Sequence, residues 1–285
     1  MKKYYGSRLR WPVSLQVLVL QISITVASTW RRRRRGISGA LRSAWRVCAY
    51  VGLVLLAFAS WRLRLIISAY AWFRCVDDVI DGDARIPKRT TLANYLAQKQ
   101  QVFTAMVSCE PIHGEPEDAL LRDAISGALQ HGIDVTPELR TLWYLVNEEL
   151  HFRRTGECPS VEWGNGFACA QDTSILGFCV KVCGGDHQRF IKIAPRFEGI
   201  FTRTDSLYDH PVDEGRGIGG ALRHARYAEE LKAVARLWEY VMPDLRVQFE
   251  ALIPPGLWRQ FYRQLVFQQF HSNFLEVQQQ TSALH

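Results

Sequence analysis

Three carboxylates close an apolar run, and that arrangement restricts the fold more than any other feature. Residues Ile66 to Val76 are almost wholly apolar or aromatic, and Asp77, Asp78 and Asp81 follow at once. Apolar residues on most sides of such a stretch predict a buried helix. Asp77 and Asp81 stand four apart and share one of its faces. Like charges on a buried face repel each other and lose hydration. A hard divalent cation relieves both costs, since Mg²⁺ takes carboxylate oxygens together with phosphate oxygens. The competing reading is a solvated helix end that runs into a turn at Gly82-Asp83.

A second acidic cluster follows about 130 residues later, with Asp205, Asp209 and Asp213 at i, i+4 and i+8. Pro211 lacks an N–H and clashes with the preceding turn, which predicts a kink or stop near residue 210. Asp205 and Asp209 then share a face, and Asp213 is less securely part of it. Arg216 follows and is suited to a phosphate oxygen. Alone, this cluster reads equally as a surface helix ending in a charged loop. Two aspartate stripes on separate helices, however, can hold Mg²⁺ ions that grip a diphosphate and stabilise it as it leaves.

With these residues in view, the chain resembles the squalene/phytoene synthase family. The segment Tyr70 to Asp81 is similar to that family's first aspartate motif, in which an aromatic-rich helix and an Arg lead into DDxxD. The stretch Thr204 to Gly217 is similar to its second, where an Asn is followed at four and eight residues by Asp, then by a basic residue and Gly. Asp205 stands at the Asn position. The match covers roughly residues 60–225. The resemblance implies an all-α, single-domain helical bundle around an apolar cavity, Mg²⁺ as cofactor, and prenyl diphosphates as substrates that join head to head. It implies metal ligation by Asp77, Asp78 and Asp81 on one wall, and by Asp205, Asp209 and Asp213 on the other. Arg74, Tyr70 and Arg216 become the candidate catalytic side chains, with Arg74 facing the diphosphate. Three departures leave the reaction open between coupling and single-substrate cyclisation, with a non-catalytic relative of the fold as a third reading. Tyr208 and Val212 replace the usual Arg and Glu. Gln171 or Asp172 occupies the place of the tyrosine found in squalene formers. The family's N-terminal Ser-Arg and Phe-Tyr signature is not recognisable.

Charge is distributed unevenly. Residues 1–76 contain no Asp or Glu and 14 Lys or Arg, leaving 21 basic against 28 acidic residues in the rest. The overall +7 therefore belongs to the N-terminal quarter, which suits an anionic partner. The same quarter is apolar. Trp11 to Trp30 is a charge-free run of 20 residues and Val47 to Trp61 one of 15. The first is long enough to cross a bilayer, although Gln16 and Gln21 weaken it. Trp11, Trp30 and Trp61 flank the runs as interfacial anchors, and Arg31–Arg35 suits a cytoplasmic lipid face. We therefore expect residues 1–60 to be a basic apolar segment that meets a membrane surface from its cytoplasmic side, and 61–285 to be the helical domain. Lys2-Lys3 and Ala27-Ser28 also fit a cleaved leader, but export would part the enzyme from cytosolic prenyl diphosphates. No nucleic-acid-binding fold surrounds the Arg run, so nucleic acid is not an expected partner.

At 48% hydrophobic residues the chain has ample core, strand signals are poor and no repeat is visible. Seven scattered cysteines, an odd count, predict reduced thiols rather than a disulfide framework. Cys179 and Cys183 have no matching pair at zinc spacing. No Gly-rich dinucleotide loop appears. Helices are expected at about 13–29, 37–60, 62–81, 91–108, 117–131, 137–152, 162–183, 186–210, 219–241 and 255–279. Thr136-Pro137 predicts a helix start and Gly184-Gly185 a helix end. Segments 82–90 and 211–220 are expected to be loops, the latter mobile and bearing Arg216. The small residues of 167–183 suit either close helix packing or a prenyl tail. His210 is either a proton acceptor beside Asp209 or incidental. The aromatic tail from Trp258 to Phe274 is either core or the wall of a cation-shielding cavity.

Overall fold

The computed structural model describes the backbone over residues 60–80, 86, 90–110, 114–115, 117–155, 160–215 and 224–282. The expected helix at 13–29, all but the last residue of the one expected at 37–60, the Arg31–Arg35 run and most of the loop 82–90 lie outside these residues. So do Asp81 and Arg216. Among the described residues every regular element is helical and no strand occurs, so the chain is all-α. None of the described helices is long and apolar enough to cross a membrane. The chain divides into two compact units at the Asp134–Val135 junction.

The first unit contains α1 (Trp61–Ile80), α2 (Leu92–Val107) and α3 (Asp118–Gln130). α1 buries Leu65, Ala69, Trp72, Val76 and Val79, a three-to-four spacing that forms one continuous stripe. It lies against α3, where Ala124, Gly127 and Ala128 keep the facing side small. A Cβ on Gly127 would stand 2.4 Å from a Leu65 methyl, so the glycine permits this close approach. α2 starts at Thr91, whose hydroxyl accepts the Asn94 N–H.

The second unit contains α4 (Thr136–Thr155), α5 (Val161–Cys183), α6 (His187–Ile193), α7 (Ile200–Gly215), α8 (His224–Arg236), α9 (Met242–Leu252), α10 (Leu257–Phe261) and α11 (Gln268–Ser282). Pro137 stands in the first turn of α4. α5 ends where Gly184-Gly185 predicts, with Gly184 left-handed at φ 72. Phe249 is the hub of the core, with the rings of Phe190, Phe197, Tyr262 and Phe267 at 5.4–5.9 Å. Three of these contacts are edge-to-face and the fourth is tilted, geometries of the kind that add to simple burial. Tyr262, Phe267 and Phe274 of the aromatic tail are thus core residues.

Three expected boundaries are corrected. The single helix expected over 186–210 is two helices. Between them a 3₁₀ turn holds Ala194–Phe197, with Pro195 at its start and Glu198 and Gly199 left-handed. Pro195 withholds a backbone donor and Gly199 turns the chain. The expected stop at Pro211 does not occur, and α7 runs through it to Gly215, so the first half of the expected mobile loop is helix. The contacts that fix α7 upstream hold its axis, and Pro211 removes one rung rather than ending the helix. The helix expected to end at 241 continues into α9 through a π turn at Leu237–Val241. Pro243 follows directly, and the widened turn accommodates its missing donor. A second π turn, Tyr262–Phe267, joins α10 to α11.

Candidate functional site

The first acidic motif stands at the C-terminal end of α1, and buried polar contacts anchor the helix one turn earlier. The Trp72 indole N–H donates to Asp118 Oδ1 at 2.9 Å. Lys99 Nζ donates to the same oxygen at 2.7 Å and to Glu117 Oε1 at 2.8 Å. The Glu115 amide donates to Asp118 Oδ2 at 2.8 Å. Trp72, Lys99 and Asp118 are all fully buried, so a saturated ionic cluster ties α1, α2 and the start of α3 together. Cys75 lies beside it, and burial, followed by Glu117 and Asp78, pushes its thiol up to about 12.

Tyr70, Arg74 and Asp77 fall at i, i+4 and i+7 and form the open stripe of α1. Tyr70 is 50% exposed, and the side chains of Arg74 and Asp77 each retain 35%. Arg74 Nη1 is 3.0 Å from Asp77 Oδ2, and its Nε is 2.8 Å from Asp78 Oδ1. Asp78 is fully buried. Its charge is offset at this point by the guanidinium, as a buried carboxylate requires. Arg74 therefore bridges its own two acids, and Asp77 is the accessible one.

The second motif occupies α7. Gly199, at φ +67, precedes the helix and has no side chain to cap it. None would fit, because a Cβ there would meet the Ala168 backbone at 2.5 Å. The cap comes instead from α5. Asp172 Oδ2 accepts the Phe201 N–H at 2.9 Å. Its Oδ1 accepts the Thr202 N–H at 3.0 Å and the Thr202 hydroxyl at 2.7 Å. Burial raises the Asp172 carboxyl to about 6 in spite of these three donors, which pull it down together with Arg203.

Three further contacts fix the rotation of α7. Arg203 forms a fork with Glu230 of α8. Buried Thr204 donates to Ile200 O and accepts from the Trp238 indole at 3.0 Å. His210 is buried and stacks on Tyr227 at 5.0 Å. His210 thus packs between helices, on the side away from Asp205. Ile200, Thr204 and Leu207 complete the buried side. Asp205 is exposed and Asp209 half-exposed on the opposite face, one turn apart. Asp213 continues the helix, and its side chain lies outside the described residues.

The structure therefore places Tyr70, Arg74, Asp77 and Asp78 on one helix end in the first unit, and Asp205 and Asp209 on one face in the second. Among the described residues no group of three or more His, Cys, Asp or Glu side chains is gathered as a metal site. A third polar group, Glu138 with Lys181 and His187, ties α4 to α5 and α6. Lys181 Nζ is 2.7 Å and His187 Nε2 3.1 Å from Glu138 Oε1. Burial, then Lys181, lowers the His187 pKa, and Glu138 opposes the shift.

Sequence reasoning missed Lys99, Asp118 and the role of Asp172. Lys99 did carry a signal, since it interrupts the stripe Tyr95, Leu96, Val102, Phe103 and Met106 at a position facing the core. The cap by Asp172 bridges 29 and 30 residues and has no local signature. No family model, curated protein or solved structure matches the chain.

Proposed function

We propose that the protein is a Mg²⁺-dependent prenyl diphosphate transferase that couples two prenyl diphosphates head to head in isoprenoid biosynthesis of the squalene/phytoene type. One observation carries the reading: α7 is anchored by Asp172, Glu230 and Trp238 and presents Asp205 and Asp209 together on its open face. Two carboxylates one turn apart suit Mg²⁺, which takes one or two carboxylates and completes its shell with water and phosphate oxygens. Asp77 and, where the motif continues, Asp81 supply the acids of the first motif, with Asp213 extending the second. Bound Mg²⁺ would supply electrophilic pull on the departing diphosphate. The chain's own groups would hold and orient it, with Arg74 the candidate cationic group of the first motif, Arg216 that of the second, and Tyr70 on the same stripe as Arg74. A prenyl chain in apolar surroundings meets no water as the allylic cation is captured by a second alkene. Residues 1–60 would hold the enzyme on the cytoplasmic face of a membrane, close to apolar products.

The test is mass spectrometry of products from purified full-length protein given C10, C15 and C20 prenyl diphosphates with Mg²⁺. A doubled carbon count is the expected result. An unchanged count would point to a terpene cyclase on the same scaffold. Loss of turnover in Asp77→Ala/Asp81→Ala assigns the first motif, and full turnover in that variant removes it from the mechanism.

One observation favours a non-catalytic reading. Arg74 is paired with both Asp77 and Asp78, an arrangement that offsets one of the first motif's negative charges without metal. Calorimetry with Mg²⁺ and inorganic diphosphate separates the two, since a protein that has lost the chemistry shows no coupled binding.

A further inference from the structure

We propose that Asp172 is a positioning residue for the acidic face of α7, setting the rotation and axial register at which Asp205 and Asp209 stand. This rests on the reading of that face as a Mg²⁺–diphosphate wall. A helix begins with amides that lack an intrahelical partner, and the residue before it normally supplies a side-chain acceptor to the second or third of them. α7 begins at Ile200, and Phe201 and Thr202 are its second and third residues. Gly199 offers no side-chain acceptor, and the approach of the Ala168 backbone forbids a larger residue. Asp172, itself 3% exposed, meets both amides from another helix, using one oxygen for each. Gln171 adds a contact from its Oε1 to the Thr202 hydroxyl at 3.2 Å.

A cap supplied within its own chain segment fixes only the helix start. A cap supplied from α5 also fixes where that start sits on α5, because two divergent oxygens receive two successive amides. Asp205 follows Thr202 by three residues and Asp209 by seven, so both acids inherit the register set at the cap. Arg203 with Glu230 of α8 and Thr204 with Trp238 then hold the rotation. The charged or titratable groups facing Asp172 are Arg203 on α7 and Cys169 on its own helix.

The experiment uses full-length protein and the variants Asp172→Ala and Asp172→Asn. Amide exchange at Phe201 and Thr202 is followed by mass spectrometry or NMR, and Mg²⁺-dependent binding of inorganic diphosphate by calorimetry. Asp172→Ala is expected to speed exchange at these two amides at least about tenfold, the scale of a lost charge-assisted hydrogen bond. Exchange in α9, which Asp172 does not touch, should stay as in wild type. Asp172→Asn keeps one acceptor oxygen and should restore part of both the protection and the diphosphate affinity. Unchanged protection in Asp172→Ala overturns the proposal. So does lost protection with diphosphate bound as tightly as in wild type. Absence of diphosphate binding in the wild type refutes the functional reading instead, and the clamp is then judged on exchange alone.

Discussion

Replacing Lys99 with Met tests the ionic cluster beneath the first acidic motif. Lys99 has no solvent exposure, and its Nζ lies 2.7 Å from Asp118 and 2.8 Å from Glu117. Met keeps most of the apolar stem, so little cavity forms and the change is mainly one of charge. Breaking a buried ion pair by removing one partner costs about 3–5 kcal/mol, because the other charge stays buried. Asp118 retains the Trp72 indole and the Glu115 amide as donors, and Glu117 is one-fifth exposed and rehydrates. The loss should therefore lie near the lower end, at about 3 kcal/mol. In a chain of this size that is a drop in Tm on the order of 10 °C.

Urea unfolding at constant pH measures the loss. The double variant Lys99→Met/Asp118→Asn removes both charges. It should be more stable than the sum of the singles predicts, by about 1–3 kcal/mol. A loss below about 1 kcal/mol for Lys99→Met, or strict additivity in the cycle, would refute the claim that the buried charges depend on each other.

Gly199→Ala forces a Cβ into the left-handed region and against the Ala168 backbone; thermal melts should show a loss of about 3 kcal/mol or more, and a neutral result would mean the α5–α7 junction is looser than drawn. Mass-mapped alkylation at pH 8 should label exposed Cys109 well before buried Cys75, Cys179 and Cys183, because burial holds the Cys75 and Cys179 thiols up at about 12; equal rates would contradict the packing. The folded Asp172 carboxyl is raised from 3.8 to about 6, so the folded chain binds this proton more tightly than the unfolded one. Its contribution is full below about pH 4 and is lost as pH rises through 6, a change of about 3 kcal/mol. The stability gap between wild type and Asp172→Asn should accordingly shrink from pH 4.5 to pH 7.5, and a gap that widens instead would reverse the sign.

The all-helical class and many boundaries were legible because their causes are local. Thr136-Pro137 at the start of α4 and Gly184 at the end of α5 each act within a few residues. The shared face of Asp205 and Asp209 was legible for the same reason, since a spacing of four shows it directly. The break at Pro195–Gly199 was harder, because the flanking segments have continuous helical periodicity and only the close approach to Ala168 requires the turn. The extension through Pro211 ran against local propensity and follows from the tertiary anchors of α7. Lys99 with Asp118 and Asp172 with Phe201 join residues 19 and 29 apart, and no pattern in a single sequence specifies such partners.

The two acidic helices share one construction. In each, a buried carboxylate on a different helix receives donors from the acid-bearing helix within about a turn or two of the acids: Asp118 from Trp72 before Asp77, and Asp172 from Phe201 and Thr202 before Asp205. Burying a carboxylate is expensive, and apolar side chains of similar volume would hold the same helices at lower cost. Apolar packing, however, tolerates small rotations and slips, because many side-chain arrangements fill a core nearly as well. A carboxylate with two or three directed donors accepts only one arrangement without leaving a buried group unpaired. For a helix that need only fill space, that stringency is a pure cost. For one that must present acids at a defined rotation, it is the property required. Replacing a whole cluster by apolar side chains, as in Lys99→Met/Asp118→Leu, should thus be better tolerated in stability than in diphosphate binding, and the reverse order would remove positioning as the reason for these buried charges.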